Sequence, residues 1–128
     1  SAEIVGKYLP SFGFLPDEVS RVQQMILSTK LPQEAQTIEE KILCDADLDY
    51  LGRNDFFIIG QKLRLEWELI GNKVSLCDWY VIQMNFLRNH NYFTNSAMEL
   101  RNERKLQNLE EIQQLCTYHC ENRGLRQK

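Results

Sequence analysis

A chain of 128 residues has room for one hydrophobic core, and 43% hydrophobic against 26% charged residues is a globular balance that excludes a disordered or low-complexity polypeptide. The formal net charge of −3 lacks the strongly basic footprint of a dedicated nucleic-acid binder. No stretch of 18 apolar residues is present to span a bilayer, and the N-terminus lacks the basic-then-apolar pattern of a secretory signal.

The apolar residues recur at spacings of three and four, which predicts an all-α chain of about six helices in a single domain over residues 1–128. Ala2 to Leu9 reads as the tail of a helix, stopped by Pro10 and Gly13. Pro16 opens the second, with Asp17 and Glu18 favouring its positive end. Val19, Val22, Ile26 and Leu27 form its expected buried stripe, and the Leu31-Pro32 step ends it. Thr37 followed three residues later by Glu40 is a capping box for the third helix, with Gly52 as its C-terminal stop. The fourth runs from about Asp55 to Leu69, closing near Gly71-Asn72. Ser75 and Asp78 cap a fifth that carries Trp79, Ile82, Phe86 and Leu87, and a long last helix runs from near Thr94 through Leu115. From Arg101 onward the charge nets +2 against −5 before it, and Glu99, Arg101, Glu103, Arg104 and Lys105 alternate in sign as on a solvated face.

Cys44, Cys77, Cys116 and Cys120 are irregularly spaced in a chain with enough apolar residue to fold unaided. They predict no disulfide and a reducing, cytoplasmic setting. Cys116, His119 and Cys120 resemble a fragment of a zinc site, but no second ligand pair accompanies them. The segment Asp45-Ala46-Asp47-Leu48-Asp49 is no EF-hand loop. Counted from Asp45, Tyr50 and Phe56 stand where the sharp-turn Gly and the bidentate Glu are required. On a helix at about 100° per residue, Asp47 falls inside the arc of Ile42, Leu43, Ala46, Tyr50 and Leu51, whereas Asp45 and Asp49 fall at its edge or beyond. A carboxylate on a core face must be paired, hydrogen-bonded or metal-bound. Asp47 is therefore either satisfied by an Arg or a neighbouring helix end, or it is a ligand.

The run Ile42-Leu43-Cys44-Asp45-Ala46-Asp47-Leu48-Asp49-Tyr50-Leu51-Gly52-Arg53 resembles the fourth motif of the HD-domain superfamily of metal-dependent phosphohydrolases. Tyr8–Phe14, Ser28–Gln33, Asn54–Phe57 and Phe86–Thr94 fit one bacterial branch of it, so the resemblance covers roughly residues 1 to 115. It implies a helical bundle holding one or two divalent metals (Mn, Mg, Fe, Co or Ni) between a His, a His-Asp pair and a later Asp, acting on a nucleotide or other phosphate ester. Asp47 matches the later Asp, Asp45 becomes a group orienting it, and Lys30 and Arg53 become candidate phosphate contacts. The departures are marked: no His-Asp dipeptide occurs, His90 is followed by Asn91 and His119 by Cys120. The remaining ligands are expected upstream of Ser1, making the chain the C-terminal portion of such a domain, inactive and metal-free alone. Its bare apolar face predicts a homodimer. The alternative implication is a regulatory or interaction module attached to a signalling protein such as a nucleotide cyclase. His90 is expected to cap or pack at a helix end.

Overall fold

A computed structural model describes residues 1–121. Among the described residues the fold is all-helical, in the order expected. Helices α1 (Ala2–Tyr8), α2 (Pro16–Ser28), α3 (Ile38–Asp47), α4 (Phe56–Leu69), α5 (Leu76–Asn89) and α6 (Asn95–Cys116) are joined by 3-10 turns at Leu9–Phe12 and Asp49–Gly52, and a π-helical turn, Thr117–Glu121, follows α6. The chain divides into two compact units, Ser1–Leu48 with Tyr92–Asn95, and Asp49–Asn91 with the residues from Ser96 onward.

In the first unit the short polar side chains set where helices start and stop. Gly13, at φ 89°, closes the Leu9–Phe12 turn in a left-handed conformation that L side chains rarely adopt. Pro16 occupies the first turn of α2, and the Glu18 carboxylate accepts from the Leu15 amide at 2.9 Å. At the other end, the Ser28 and Thr29 hydroxyls donate to the Met25 and Ile26 carbonyls, both at 2.6 Å. Of the stripe expected to be buried on α2, Val19 is buried, Val22 and Ile26 are half-buried, and Leu27 lies in solvent. Cys44 of α3 is fully buried against α2, its thiol donating to the Ser28 carbonyl at 3.3 Å. Burial pushes that thiol's pKa up, against the opposing hydrogen bond with Ser28.

The second unit is built on Leu51, Phe56, Trp79, Tyr80, Leu87 and Ile112. Phe56 stacks on Tyr50 at 6.1 Å and meets Phe57 edge-on at 5.1 Å, and Trp67 of α4 meets Trp79 of α5 edge-on at 5.2 Å. Ser75 caps α5, its hydroxyl accepting from the Asp78 amide at 3.1 Å. His90 ends α5 as expected, its ring against Phe86. The Lys105 ammonium donates to the His90 carbonyl, placing a cation on the negative end of α5. Burial lowers the pKa of that ammonium.

Three local expectations need correction. The third helix does not run to Gly52: α3 ends at Asp47 and the chain tightens into the 3-10 turn Asp49–Gly52. Gly52 is not a left-handed helix stop either, since only Gly13 and Gly71 have positive φ among the described glycines. It is required by proximity, because a Cβ there would sit 2.4 Å from the Arg101 carbonyl oxygen and 2.6 Å from the Arg101 Cβ. The same turn is fixed by Asn108 of α6, fully buried, whose amide donates to the Leu51 carbonyl at 2.9 Å and the Arg53 carbonyl at 3.0 Å. The alternating charges of α6 are not merely a solvated face, because Arg101 reaches the Asp49 carboxylate with two donors, at 2.6 and 3.3 Å.

The cysteines also differ from expectation. Cys77, in the first turn of α5, and Cys120, in the π-helical turn, form a disulfide with a Cα separation of 5.7 Å. Their 43-residue separation carries no local signal, so spacing alone could not expose the pair. The disulfide withdraws the argument from cysteine usage for a reducing compartment, and it takes Cys120 out of any zinc site with Cys116 and His119.

Candidate functional site

The acidic segment of α3 is positioned by a cap at one end and a long-range clamp near the other. Thr37 Oγ1 accepts from the Glu40 amide at 3.2 Å while the Glu40 carboxylate accepts from the Thr37 amide at 3.0 Å, the reciprocal pair expected from the sequence. Seven residues after Thr37 begins the clamp, where Cys44 and Asp45 turn inward together.

Asp45 is 6% exposed, and its carboxylate accepts three hydrogen bonds: from the Phe93 amide at 2.8 Å, the Thr94 amide at 2.8 Å and the Thr94 hydroxyl at 2.7 Å. Phe93 and Thr94 immediately precede α6, so the carboxylate satisfies donors at the start of a helix, where negative charge is favoured. Beside it, the Tyr92 hydroxyl donates to the Leu48 carbonyl at 3.0 Å.

Asp47 stands the other way round. The helical angle placed it inside the buried arc and Asp45 outside, but Asp47 is exposed and Asp45 is buried. The reason lies in which residues α3 buries. Its inward stripe is Glu40, Cys44, Asp45 and Leu48, while Ile38 and Ile42 point to solvent at 60% and 56% exposure. The face was assigned from apolar residues, but here polar ones are inside, Glu40 held by its cap partner Thr37 and Cys44 and Asp45 by hydrogen bonds to partners distant in sequence.

At the open end of α3 the Asp47 carboxylate accepts from Gln33 Nε2 at 3.0 Å, and the same nitrogen donates to the Thr29 carbonyl at 3.3 Å. Crowding by neighbouring protein atoms raises the Asp47 pKa above the ordinary aspartate value, and the Gln33 hydrogen bond opposes that rise. Among the described residues no cation pairs with Asp47. Lys30 is exposed in the turn after α2, three residues before Gln33, and enters no ion pair among the described residues.

Arg53, the other candidate phosphate contact, belongs to the second unit and its charge is already engaged. Its guanidinium forks onto Asp55, with Nε 2.9 Å from Oδ1, and lies 3.6 Å from Asp49. A phosphate reaching Arg53 has two carboxylates to displace.

Among the described residues no three His, Cys, Asp or Glu side chains converge as a metal cage would require. Asp47, with its neutral Gln33 partner, is one donor, and the described residues do not by themselves fit the metal that the motif implies. Nor is any helix among them long and apolar enough to cross a membrane.

The bonds that fix both ends of these segments carry a pH signature. The Glu40 carboxyl is held below its ordinary range first by the Thr37 side-chain hydrogen bond and then by the Thr37 amide, and Asp55 is held low by the Arg53 hydrogen bond. A carboxyl whose folded pKa is depressed stabilises the fold above its unfolded value and loses that contribution as pH falls through the folded value. Urea midpoints are therefore expected to be steady near neutrality and to fall as pH drops below about 4.5. The double variant Glu40→Gln, Asp55→Asn starts lower at neutral pH and falls less, and parallel acid limbs for the two proteins contradict the assignment.

Compared with protein-family models, with curated proteins and with solved structures, the chain matches none.

Proposed function

We propose that the chain is the aspartate-bearing part of an HD-type metal-dependent phosphohydrolase acting on a nucleotide or another phosphate ester. The observation that carries this reading is the division of labour within one motif: Asp45 is spent on anchoring α3 to Phe93 and Thr94, while Asp47, two residues on, is left at the helix end with a carboxylate that no cation neutralises among the described residues. A ligand carboxylate needs both conditions, a rigid helix beneath it and an open first position for a cation. Gln33 supports the reading as well, because a neutral donor fixes the orientation of the carboxylate without supplying the positive charge that a metal brings. Lys30, in no ion pair among the described residues, adds a cation in the turn just before Gln33, suited to an anionic substrate.

The residues of this chain then have a limited part. Asp45 sets the angle of α3, Gln33 orients Asp47, and Asp47 offers one oxygen donor; the other ligands come from the rest of the whole protein. The test is turnover of a nucleotide and phosphodiester panel by the whole protein with manganese or cobalt. Metal-dependent hydrolysis is expected, reduced at least 100-fold by Asp47→Ala and only mildly by Arg53→Gln, while residues 1–128 alone show none. Absence of metal-dependent hydrolysis in the whole protein, or full activity after Asp47→Ala, rules the reading out.

A further inference from the structure

The π-helical turn Thr117–Glu121 is attached differently from every helix before it. Among the described residues no hydrogen bond or ion pair ties the side chains of residues 117–120 to another element, and the one ring contact is internal, Tyr118 edge-on to His119 at 5.0 Å. What fastens it is the covalent bond from Cys120 to Cys77 at the start of α5. The turn also departs from the α geometry of α6, its main-chain hydrogen bonds widening to the rarer i→i+5 pattern of a π turn. Tyr118, 66% exposed, forms one wall of a surface groove whose other walls are Phe57 of α4 and Glu111, Gln114 and Leu115 of α6.

We propose that the Cys77–Cys120 disulfide is a redox-operated clamp that determines whether the Tyr118 wall of this groove is present. Reduction requires a dithiol reductant of the thioredoxin class. Its thiolate attacks one sulfur of the pair, the Cys77–Cys120 bond breaks, and the second thiol of the reductant resolves the mixed disulfide. The reductant leaves as its own disulfide, and two electrons and two protons remain with Cys77 and Cys120 as thiols. Once cut, Thr117–Glu121 keeps only its own main-chain hydrogen bonds back to the end of α6, which fray easily in a last turn, whereas α6 stays held through Arg101, Lys105 and Asn108. The released turn takes Tyr118 with it and opens the groove on one side. Cys116, half-buried one turn before Cys120, is the remaining free thiol near the pair.

The test compares oxidised and dithiothreitol-reduced protein carrying Cys116→Ser, which removes thiol shuffling. Peptide mass mapping under non-reducing conditions is expected to show a Cys77–Cys120 link, and amide hydrogen exchange over residues 117–121 is expected to rise at least tenfold on reduction while residues 101–112 keep their protection. Cys77→Ser without reductant reproduces the reduced pattern. The proposal is overturned by an unlinked pair in oxidised protein, by equal exchange of residues 117–121 in both states, or by loss of protection throughout the chain, which makes the bond a general staple.

Discussion

Asp45→Ala is expected to lower the free energy of unfolding by about 3 kcal/mol, measured by urea denaturation at neutral pH. The carboxylate accepts from two main-chain amides and one hydroxyl, and hydrogen bonds to a charged group contribute roughly 1.5–3 kcal/mol each, partly recovered here because Phe93 and Thr94 are half-buried and water can reach them. The truncation removes the acceptor and leaves the donors, which is the unfavourable way to break a buried hydrogen bond. Asp45→Asn keeps one carbonyl oxygen but turns an NH2 group toward a donor, and about half the loss is expected. A fall of under about 0.5 kcal/mol in Asp45→Ala contradicts the anchoring role. Because Asp47 stands on the same helix, the Asp45 variants also lower metal-dependent turnover of the whole protein under the proposed function.

Gly52→Ala is expected to cost about 3 kcal/mol, for a different reason. The added Cβ meets the Arg101 carbonyl oxygen at 2.4 Å and the Arg101 Cβ at 2.6 Å, and neither is the tip of a flexible side chain that can swing aside. Relief requires the turn or α6 to shift. That shift stretches the Asp49–Arg101 pair and both bonds from Asn108, which lie on either side of the contact. Thermal unfolding checks this, with Gly71→Ala as a comparison. At Gly71 no atom lies within 4 Å of the built Cβ, and the strain comes solely from its φ of 95°, so a smaller loss of about 1 kcal/mol follows. Equal losses at the two positions contradict the close-approach explanation for Gly52.

The helices were legible because their signals are local. Thr37 with Glu40, Ser75 with Asp78 and Pro16 at the head of α2 each act within one turn of the backbone, and each begins a helix where the sequence placed it. The acidic segment was legible as unusual but not in its orientation. Ile38 and Ile42 invited the apolar face to be taken as the inner one, while Glu40, Cys44 and Asp45 are buried instead; the partners of Cys44 and Asp45 lie 16 to 49 residues away. Gly52 was noticed for the wrong reason, since a glycine that yields to a neighbouring main chain reads in sequence like one that ends a helix. Arg101 with Asp49, and Cys77 with Cys120, are pairings that only the folded chain brings together. The one sequence mark that separates Asp47 from Asp45, its helical angle, points the wrong way, because it is Asp45 that meets Thr94.

The first unit is assembled from two stretches of chain, and Tyr92–Asn95 is the smaller one. On the ribosome, residues 1–48 are therefore delivered well before the piece that completes them. At about 5–20 residues per second, the intervening stretch to Asn95 takes roughly 2–9 s to translate. Throughout that interval the Asp45 carboxylate has water in place of Phe93 and Thr94, and the Leu48 carbonyl awaits the Tyr92 hydroxyl. The hydrogen bonds that close the first unit can therefore form only after the residues up to Asn95 have been added.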